Sequence, residues 1–324
     1  MDVLIDTDTG MGTLGSDPDD GLAIALALVS PEVTVKAITC VMGNVPLSHV
    51  HANAAQLLRV LGRTDVPLAA GADRPLLHRR DPLRWLEQRA ACERVTAPAP
   101  PDGPSAAERI VQTANASDGL TLVAIGPLTN FAAAFVAEPA LADRVERVVV
   151  MGGAFEVPGN VTPTAEFNFF MDPEAAQIVL DAGVEPVLVG LDVCHRTHLS
   201  HAQLAGARFD SEFGRFVQRA CADWLPDAGS DSGPHLYDSL AVAAAFRPEL
   251  LTLEPAFVQV EPAAGTSVAW LPNRPSAWSR PERPDNALVA TDVDVDAFAA
   301  LFAERVLAQL DRSSASTCPG ASNT

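Results

Sequence analysis

The segment that decides the fold is Leu4-Ile5-Asp6-Thr7-Asp8-Thr9-Gly10, an apolar run that ends in carboxylates. The apolar residues predict a buried strand over Val3–Asp8. Because Asp6 and Asp8 are two residues apart, their side chains point to the same side of an extended chain. Open α/β sheets bind ligands beyond the carboxyl ends of their strands, so this strand end is a candidate site.

Short apolar runs and amphipathic helical stretches alternate from the first strand to Leu191. This alternation predicts an α/β fold with an open, mostly parallel, Rossmann-like sheet and helices on both faces. The predicted strands are Val3–Asp8, Val33–Val41, Val66–Ala70, Leu120–Ile125, Val145–Met151 and Pro186–Leu191. The predicted helices between them are Leu22–Leu28, Val50–Leu61, Ala106–Ala116, Asn130–Ala137 and Pro173–Ala182.

The pattern is less regular after Leu191. It predicts helices around Phe213–Trp224, from Tyr237 onward and over Asp294–Leu310, and extended runs at Phe257–Val260 and Ser267–Leu271. We expect a single domain over residues 1–312. The small, polar residues 313–324 predict a disordered tail.

Charge and cysteine usage narrow the class of protein. The formal net charge is −19 and Lys36 is the only lysine, so no basic surface for nucleic acid is predicted. Five cysteines without a CxxC pair indicate reduced thiols and a cytoplasmic protein. The N-terminus does not have the pattern of a signal peptide, and no apolar stretch predicts a membrane span.

A second acidic segment, Asp17-Pro18-Asp19-Asp20-Gly21, directly precedes the predicted helix Leu22–Leu28. One aspartate there could simply cap the helix and favour its dipole. Five aspartates within fifteen residues would repel one another unless a cation neutralised them, so we favour a metal site. Asp19 and Asp20 are adjacent at the start of a helix, so their side chains diverge by about 100°. One carboxylate could therefore face a metal while the other faces a ligand beside it. All the donors are oxygens, which favours Ca²⁺ or Mg²⁺ over zinc.

Later polar residues add to this candidate site. Glu166 and Asn168 would share one face of an extended segment, where a carboxylate and an amide could bind vicinal hydroxyls. The alternative is loop hydrogen bonding with a helix cap at Asp172. Gly159-Asn160 is by itself an ordinary turn signal, and Asp238 before an apolar helical run could be an N-cap.

The pattern Asp-Thr-Asp-x-Gly followed by Asp19-Asp20 resembles the start of the inosine–uridine-preferring nucleoside hydrolase family. Alone, it also resembles haloacid-dehalogenase phosphatases, but Lys36 is misplaced for the lysine of that class. Further segments match the hydrolase family in order over about residues 3–245. They are Ala37–Asn44, Ala70–Leu76, Ile125–Asn130, Val150–Gly153, Gly159-Asn160, Ala165–Asn168 and Asp172–Ala176.

The resemblance implies the nucleoside hydrolase fold and calcium-dependent hydrolysis of ribonucleosides to free base and ribose. It implies Ca²⁺ ligands at Asp8, Asp20, Asp238 and the backbone carbonyl of Ile125, with Asp8 also the base for the metal-bound water. It implies ribose contacts from Asp19, Asn160, Glu166 and Asn168, with Asn44 nearby, and support of Asp8 by Asp6. It also implies a homodimer or homotetramer.

Three departures from the family pattern lie around the base-binding side. The connection Gly10–Asp17 is longer than usual. Tyr237 stands where well-known members carry a histidine, and His235 lies three residues before Asp238. The family's His-Gly-rich loop after the third strand is not evident in residues 78–101.

These departures leave alternatives open. Tyr237 and His235 are candidates for the leaving-group side or ordinary packing residues, and Trp224 is a candidate for base stacking. The chain could also be a non-catalytic ribose- or nucleoside-binding protein, or a hydrolase of a related N-riboside such as nicotinamide riboside.

Overall fold

The computed structural model describes residues 1–13, 15–77, 80–92, 97–200, 203, 206–222, 232–272, 274 and 280–311. Trp224 and the predicted tail 313–324 lie outside these residues. None of the described helices has both the length and the apolar character of a membrane span.

The core of the fold is a nine-stranded sheet. Its strands are β1 Asp2–Thr7, β2 Thr34–Cys40, β3 Leu68–Ala70, β4 Leu120–Ala124, β5 Val145–Met151, β6 Val187–Val189, β9 Leu251–Val260, β10 Ser267–Trp270 and β11 Ala287–Val293. Their order is β10-β9-β11-β6-β5-β4-β1-β2-β3. The six predicted strands and β11 run parallel, whereas β9 is antiparallel to both β10 and β11. Two further strands, β7 His198–Ser200 and β8 Ser232–His235, form a separate antiparallel pair.

Helices cover both faces of this sheet. They are α1 Asp19–Val29, α2 Leu47–Val60, α3 Arg80–Cys92, α4 Ala106–Ala116, α5 Thr129–Ala137, α6 Phe167–Met171, α7 Pro173–Leu180, α8 Leu191–Cys194, α9 Glu212–Ala220, α10 Tyr237–Phe246, α11 Val295–Phe302 and α12 Ala308–Leu310. Short 3₁₀ turns lie at Pro139–Asp143 and Pro248–Leu250, and a π turn at Ala303–Leu307 joins α11 to α12.

Alternation along β1 divides the core into two layers. Ile5 is buried in the cluster that includes residues of α1 and α10, and Leu4 is buried in the opposite cluster with residues of α4, α5 and α7. Burial on both faces explains why these parallel strands are mostly apolar. The predicted fold class is therefore confirmed.

Several sequence predictions were incomplete or wrong. Helix α3 and strand β11 were not predicted, and β9 begins at Leu251 instead of Phe257. The prediction of an extended segment through Glu166 and Asn168 was wrong, because Glu166 is the N-cap of helix α6 and Asn168 lies inside that helix.

The topology brings distant polar residues to one edge. Strands β5, β4, β1 and β2 are consecutive neighbours and parallel, so their carboxyl ends meet along one side of the sheet. Helix α10, which carries Asp238 in its first turn, packs against α1, which carries Asp19 and Asp20 in its own. Residues far apart in sequence thus converge at this edge.

Candidate active site

A cavity of about 360 Å³ opens at the carboxyl ends of β1, β4 and β5. The predicted site residues that line it are Asp8, Asp19, Asn44, Ile125, Asn160, Glu166, Asn168, Tyr237 and Asp238. The remaining lining residues are Asp17, which belongs to the predicted acidic segment, and four that the sequence did not single out: Trp85, Met151, Val161 and Phe167. Asp6, Asp20 and His235 are not among the lining residues. The structure therefore brings together most of the predicted set in one place.

Asp8 is the most constrained carboxylate of the cavity. Its side chain is 1% exposed, and Oδ2 accepts a hydrogen bond from the backbone N–H of Asn44 at 2.7 Å. The other oxygen, Oδ1, is buried without a hydrogen-bond partner among the described residues. A Cβ atom at Gly43 would lie 1.9 Å from Oδ2, so only glycine at this turn leaves Asp8 its position. An unpartnered buried carboxylate oxygen is costly, which points to a ligand at Oδ1.

Asp20 is completely buried and interacts electrostatically with this carboxylate. Its Oδ1 accepts from the Thr7 hydroxyl at 2.6 Å and its Oδ2 from the Asn44 side-chain amide at 3.0 Å. Helix α1 has no side-chain cap at its N-cap residue Pro18, and Asp17 Oδ1 accepts the backbone N–H of Asp19 at 3.0 Å. Asp17 therefore performs the capping that would otherwise explain this acidic segment, and Asp19 and Asp20 need another explanation.

Asp19 ties the first turns of two helices together. Its Oδ2 accepts from the backbone N–H of Asp238 at 2.7 Å, and its Oδ1 accepts from the Ser239 hydroxyl at 2.9 Å. Asp238 is buried in the first turn of α10 and is not its N-cap, which is Leu236. The simple capping interpretation of Asp238 therefore does not hold. Asp19 positions Asp238 at the cavity through this contact.

Burial and mutual repulsion perturb the acidic groups of this cluster. Burial, reinforced by the charge of Asp20, raises the pKa of Asp8 and of Asp238 well above the ordinary aspartate value. Burial also raises the pKa of Asp17 and of Asp20 to about 6. Like charges this close favour either bound protons or a bound cation.

The donors fit a hard cation, although the described residues contain no group of three His, Cys, Asp or Glu side chains arranged as ligands around one point. The charge of Asp20 raises the pKa of Asp8 and of Asp238, and one oxygen of Asp8 has no partner among the described residues. Ile125 lines the same cavity beside them. An oxygen-only set suits Ca²⁺, and these side chains would have to turn toward a shared ion to bind it.

The predicted ribose residues also hold their own loops. Glu166 accepts backbone N–H groups on both oxygens, from Asn168 at 2.8 Å on Oε1 and from Gly153 and Phe169 at 3.1 Å on Oε2. The side-chain amide of Asn168 donates to the Met151 carbonyl at 3.1 Å.

Asn160 joins the same arrangement, because its side-chain carbonyl accepts the backbone N–H of Phe167 at 2.9 Å. Each carboxylate oxygen has two lone pairs, so Glu166 can still accept from a hydroxyl in the cavity.

Asp6 lies deeper in the protein. Its Oδ1 accepts from the Thr39 hydroxyl at 2.5 Å and from the Asn130 side-chain amide at 2.8 Å, and its Oδ2 is buried without a partner among the described residues. Burial raises the pKa of Asp6 to about 7. Its bonds run to the second strand and to helix α5, away from the cavity.

Three aromatic side chains, Trp85, Phe167 and Tyr237, also line the cavity, and we call this set its aromatic side. The Trp85 indole N–H donates to the Gly43 carbonyl at 3.1 Å, and the ring meets Phe167 edge-on with centroids 5.4 Å apart. Arg89 donates to the Asn44 carbonyl at 3.1 Å, which fixes α3 to the same turn that supports Asp8.

Tyr237 lines the cavity and His235 stands behind it. Their rings stack with centroids 4.9 Å apart and an interplanar angle of 23°. His235 Nδ1 is buried without a partner among the described residues, and burial lowers the pKa of this imidazole. Of the two candidates for the leaving-group side, Tyr237 is the one that faces the cavity.

Comparison with known proteins agrees with this geometry. The family model described as inosine-uridine preferring nucleoside hydrolase matches residues 3–300. A non-specific ribonucleoside hydrolase, RihC, of Klebsiella pneumoniae is 37% identical and aligns over 94% of this chain and 97% of its own.

Two solved structures are similar over nearly the whole chain. A plant nucleoside hydrolase superposes with a TM-score of 0.79 at 33% identity, covering 95% of this chain and 99% of its own. A purine-preferring ribonucleoside hydrolase from Gardnerella vaginalis superposes with a TM-score of 0.77 at 27% identity, covering 96% and 99%.

Proposed function

This chain belongs to the inosine-uridine preferring nucleoside hydrolase family, and we propose that it uses Asp8 and a bound Ca²⁺ ion to hydrolyse ribonucleosides. The reaction cleaves the N-glycosidic bond with water and yields free base and ribose. One observation carries the proposal. Asp8 is buried at the strand end with Oδ1 unpartnered, beside Asp20 and Asp238, in a cavity large enough for a small molecule.

The family is generally metal-dependent, and the oxygen donors of this site fit Ca²⁺. The proposed ligands are the carboxylates of Asp8, Asp20 and Asp238 and the backbone carbonyl of Ile125. When bound, a hard dication acidifies water and orients the sugar hydroxyls. The same charge would relieve the repulsion that raises the pKa of Asp8 and Asp238.

Asp8 is the proposed proton acceptor for the attacking water. Its backbone bond to Asn44 fixes the carboxylate, so its free oxygen is oriented before substrate arrives. A carboxylate below the sugar also stabilises the positive charge that develops on the ribose as the bond to the base lengthens. Asp6, hydrogen-bonded to Thr39 and Asn130, is proposed to hold the end of β1 in place.

The proposed ribose contacts are polar groups on three segments: Asp19 in α1, Asn160 in the loop before α6, and Glu166 and Asn168 at the start of α6, with Asn44 nearby. Asp19, Glu166 and Asn160 already accept backbone N–H groups, which keeps them rigid when the hydroxyls bind. Rigid, preorganised contacts lower the cost of orienting the sugar.

The base would lie against the aromatic side of the cavity. Trp85, Phe167 and Tyr237 offer ring faces and edges for packing, and the Tyr237 hydroxyl is a hydrogen-bond donor for the departing base. His235 stacks on Tyr237 and is proposed to hold that ring in position. We also expect, from the resemblance and from the scattered cysteines, a cytoplasmic homodimer or homotetramer.

A panel of ribosides tests the proposed function. Purified protein with millimolar Ca²⁺ is incubated with inosine, guanosine, adenosine, uridine and cytidine, and released ribose is measured as reducing sugar. We expect release from at least one nucleoside, and its loss in Asp8→Asn. Calorimetric binding of a nucleoside that stays uncut over hours would contradict hydrolysis and indicate a binding protein.

A further inference from the structure

We propose that Asp192 is a positioning residue for the ribose site, because it fixes the loop whose first N–H group orients Glu166. This inference rests on the proposed function, in which Glu166 binds a ribose hydroxyl, and deepens it. The loop consists of residues 153–156, which follow strand β5 after one intervening residue. Asp192 lies in α8 and is not among the residues that line the cavity.

The first N–H group of this loop helps to orient Glu166. The backbone N–H of Gly153 donates to Glu166 Oε2 at 3.1 Å, and Glu166 is only 1% exposed. Gly153 approaches from outside helix α6, whereas Asn168 and Phe169, which also donate to this carboxylate, lie within that helix. A shift of Gly153 would therefore change the direction in which the remaining lone pairs of Glu166 face the cavity.

The other end of the loop is held by Asp192. Its Oδ2 accepts the backbone N–H of Phe155 at 3.0 Å, and its Oδ1 accepts that of Glu156 at 2.7 Å. Hydrogen bonds to a carboxylate are stronger than those between neutral groups. Between the two ends, the Ser267 hydroxyl accepts the N–H of Ala154 at 3.0 Å. All four successive N–H groups of the loop thus donate to side chains, which hold it along its whole length.

Two glycines allow the loop and the start of α8 to approach each other closely. Gly153 has a φ of +88°, and a Cβ atom there would lie 2.6 Å from the Phe155 ring. A Cβ atom at Gly190, the N-cap of α8, would lie 3.0 Å from that ring and from the Gly153 carbonyl oxygen. The backbone N–H of Leu191 donates to the same carbonyl at 2.9 Å. Because this packing leaves no slack, a change at Asp192 is transmitted to Gly153.

A purely structural role for Asp192 predicts a different result. Loss of the side chain would then lower stability and affect every substrate equally. Asp311 offers a matched control, because its Oδ1 accepts the successive backbone N–H groups of Arg208 and Phe209 at 2.7 and 3.2 Å. None of these three residues lines the cavity.

The test measures discrimination at each ribose hydroxyl. We take the nucleoside of the panel that the wild type cleaves fastest and measure kcat/KM, with Ca²⁺, for it and for its 2′-, 3′- and 5′-deoxy analogues. The ratio of the parent value to each analogue value is the discrimination at that hydroxyl. Glu166→Gln identifies the hydroxyl that Glu166 contacts, because discrimination there should fall about tenfold or more.

Asp192→Ala is expected to lower discrimination at that same hydroxyl about fivefold and to leave the other two within about twofold of the wild type. Asp192→Asn, which keeps one acceptor oxygen, should show a smaller fall at the same hydroxyl and carries the test if the alanine variant does not fold. Asp311→Ala should leave all three values near those of the wild type.

Three results would overturn the inference while leaving the proposed function intact. They are an equal loss of kcat/KM for the parent and all analogues in Asp192→Ala, a fall at a different hydroxyl from the one that Glu166→Gln identifies, and unchanged discrimination in either variant. If the wild type cleaves none of the nucleosides in the panel, the proposed function fails, and the inference fails with it.

Discussion

The two sides of the cavity are built in different ways. On the carboxylate side, Asp8 and Asp19 accept backbone N–H groups from Asn44 and Asp238, residues far from them in the chain. On the aromatic side, Trp85 has one hydrogen bond to the Gly43 carbonyl and an edge contact with Phe167. The positions of the carboxylates therefore depend on sheet topology, whereas the position of the aromatic side depends on a few side-chain contacts.

We infer from this difference that the carboxylates determine the reaction and the aromatic side chains determine which base is bound. Moving a carboxylate would require moving strand β1 or the α1–α10 contact, which the core of the protein holds in place. Replacing an aromatic side chain changes what the cavity fits and leaves the sheet intact. We therefore expect substitutions on the carboxylate side to lower kcat and those on the aromatic side mainly to raise KM.

The largest effect is expected from Asp8→Asn. Removal of the proton acceptor should lower kcat about 10³-fold, within the range of general base catalysis. The metal-free variant should melt at a temperature no lower than the wild type, because a buried charge is removed. Initial rates and circular dichroism melts measure both. An active Asp8→Asn protein would remove the distinction between the two sides.

Trp85→Ala is the matching change on the aromatic side. Loss of stacking on the base should raise KM about tenfold, equivalent to about 1–2 kcal/mol, with kcat altered much less. Trp85→Phe keeps a ring and is the control that should retain most of the affinity. A fall in kcat with unchanged KM would show that Trp85 acts on the chemistry, against the division proposed here.

The pH dependence of stability tests the carboxylate side alone. Asp6 has its pKa raised to about 7, and Asp17 and Asp20 to about 6, chiefly by burial. Groups with raised folded-state pKa values stabilise the fold below their unfolded values near 4, and this stability is lost as pH rises through 6–7.

Metal-free protein should therefore melt about 5 °C lower at pH 8 than at pH 5.5, and saturating Ca²⁺ should reduce this difference. Calorimetric scans across this range measure it. A metal-free protein that becomes more stable as pH rises would contradict the account of the buried cluster.

The smallest effect is expected from His235→Ala. Because His235 stacks behind Tyr237 and does not line the cavity, its loss should change kcat less than about threefold. The kcat of Tyr237→Phe, which removes only the hydroxyl, is measured for comparison. A pH–rate profile that loses its alkaline limb in His235→Ala would instead make this imidazole the leaving-group acid.

The carboxylate side could be predicted from sequence because it follows from strand order. The placement of Asp8 at the end of β1 and of the acid pair before α1 required only that parallel strands end at one edge. The spacing of Asp6 and Asp8 was a weaker guide, because Asp6 bonds to Thr39 and Asn130 and does not line the cavity. The spacing of Glu166 and Asn168 in the sequence did not predict that this segment begins a helix. The helix cap there arises from backbone N–H groups that Glu166 accepts on both oxygens, including that of the distant Gly153.

Tyr237 was a predicted candidate, but Trp85 and Phe167 were missed, for a different reason. Helix α3 is rich in arginine, with Pro82 near its start, and its indole side chain was not linked to any strand end. An amphipathic pattern around Trp85 and Leu86, both of which face the interior, was the available signal. Strand β11 was missed because its pairing with β6 and β9 is non-local.

A catalytic Ca²⁺ ion held by these aspartates can be tested by calcium titration of chelator-treated protein with isothermal calorimetry, combined with activity measured after chelation. We expect one Ca²⁺ per chain, loss of hydrolysis without it, and binding weakened at least about tenfold in Asp20→Asn but unchanged in the exposed control Asp65→Asn. Full activity after exhaustive chelation, with no heat of binding at millimolar calcium, would contradict a catalytic metal held by these aspartates.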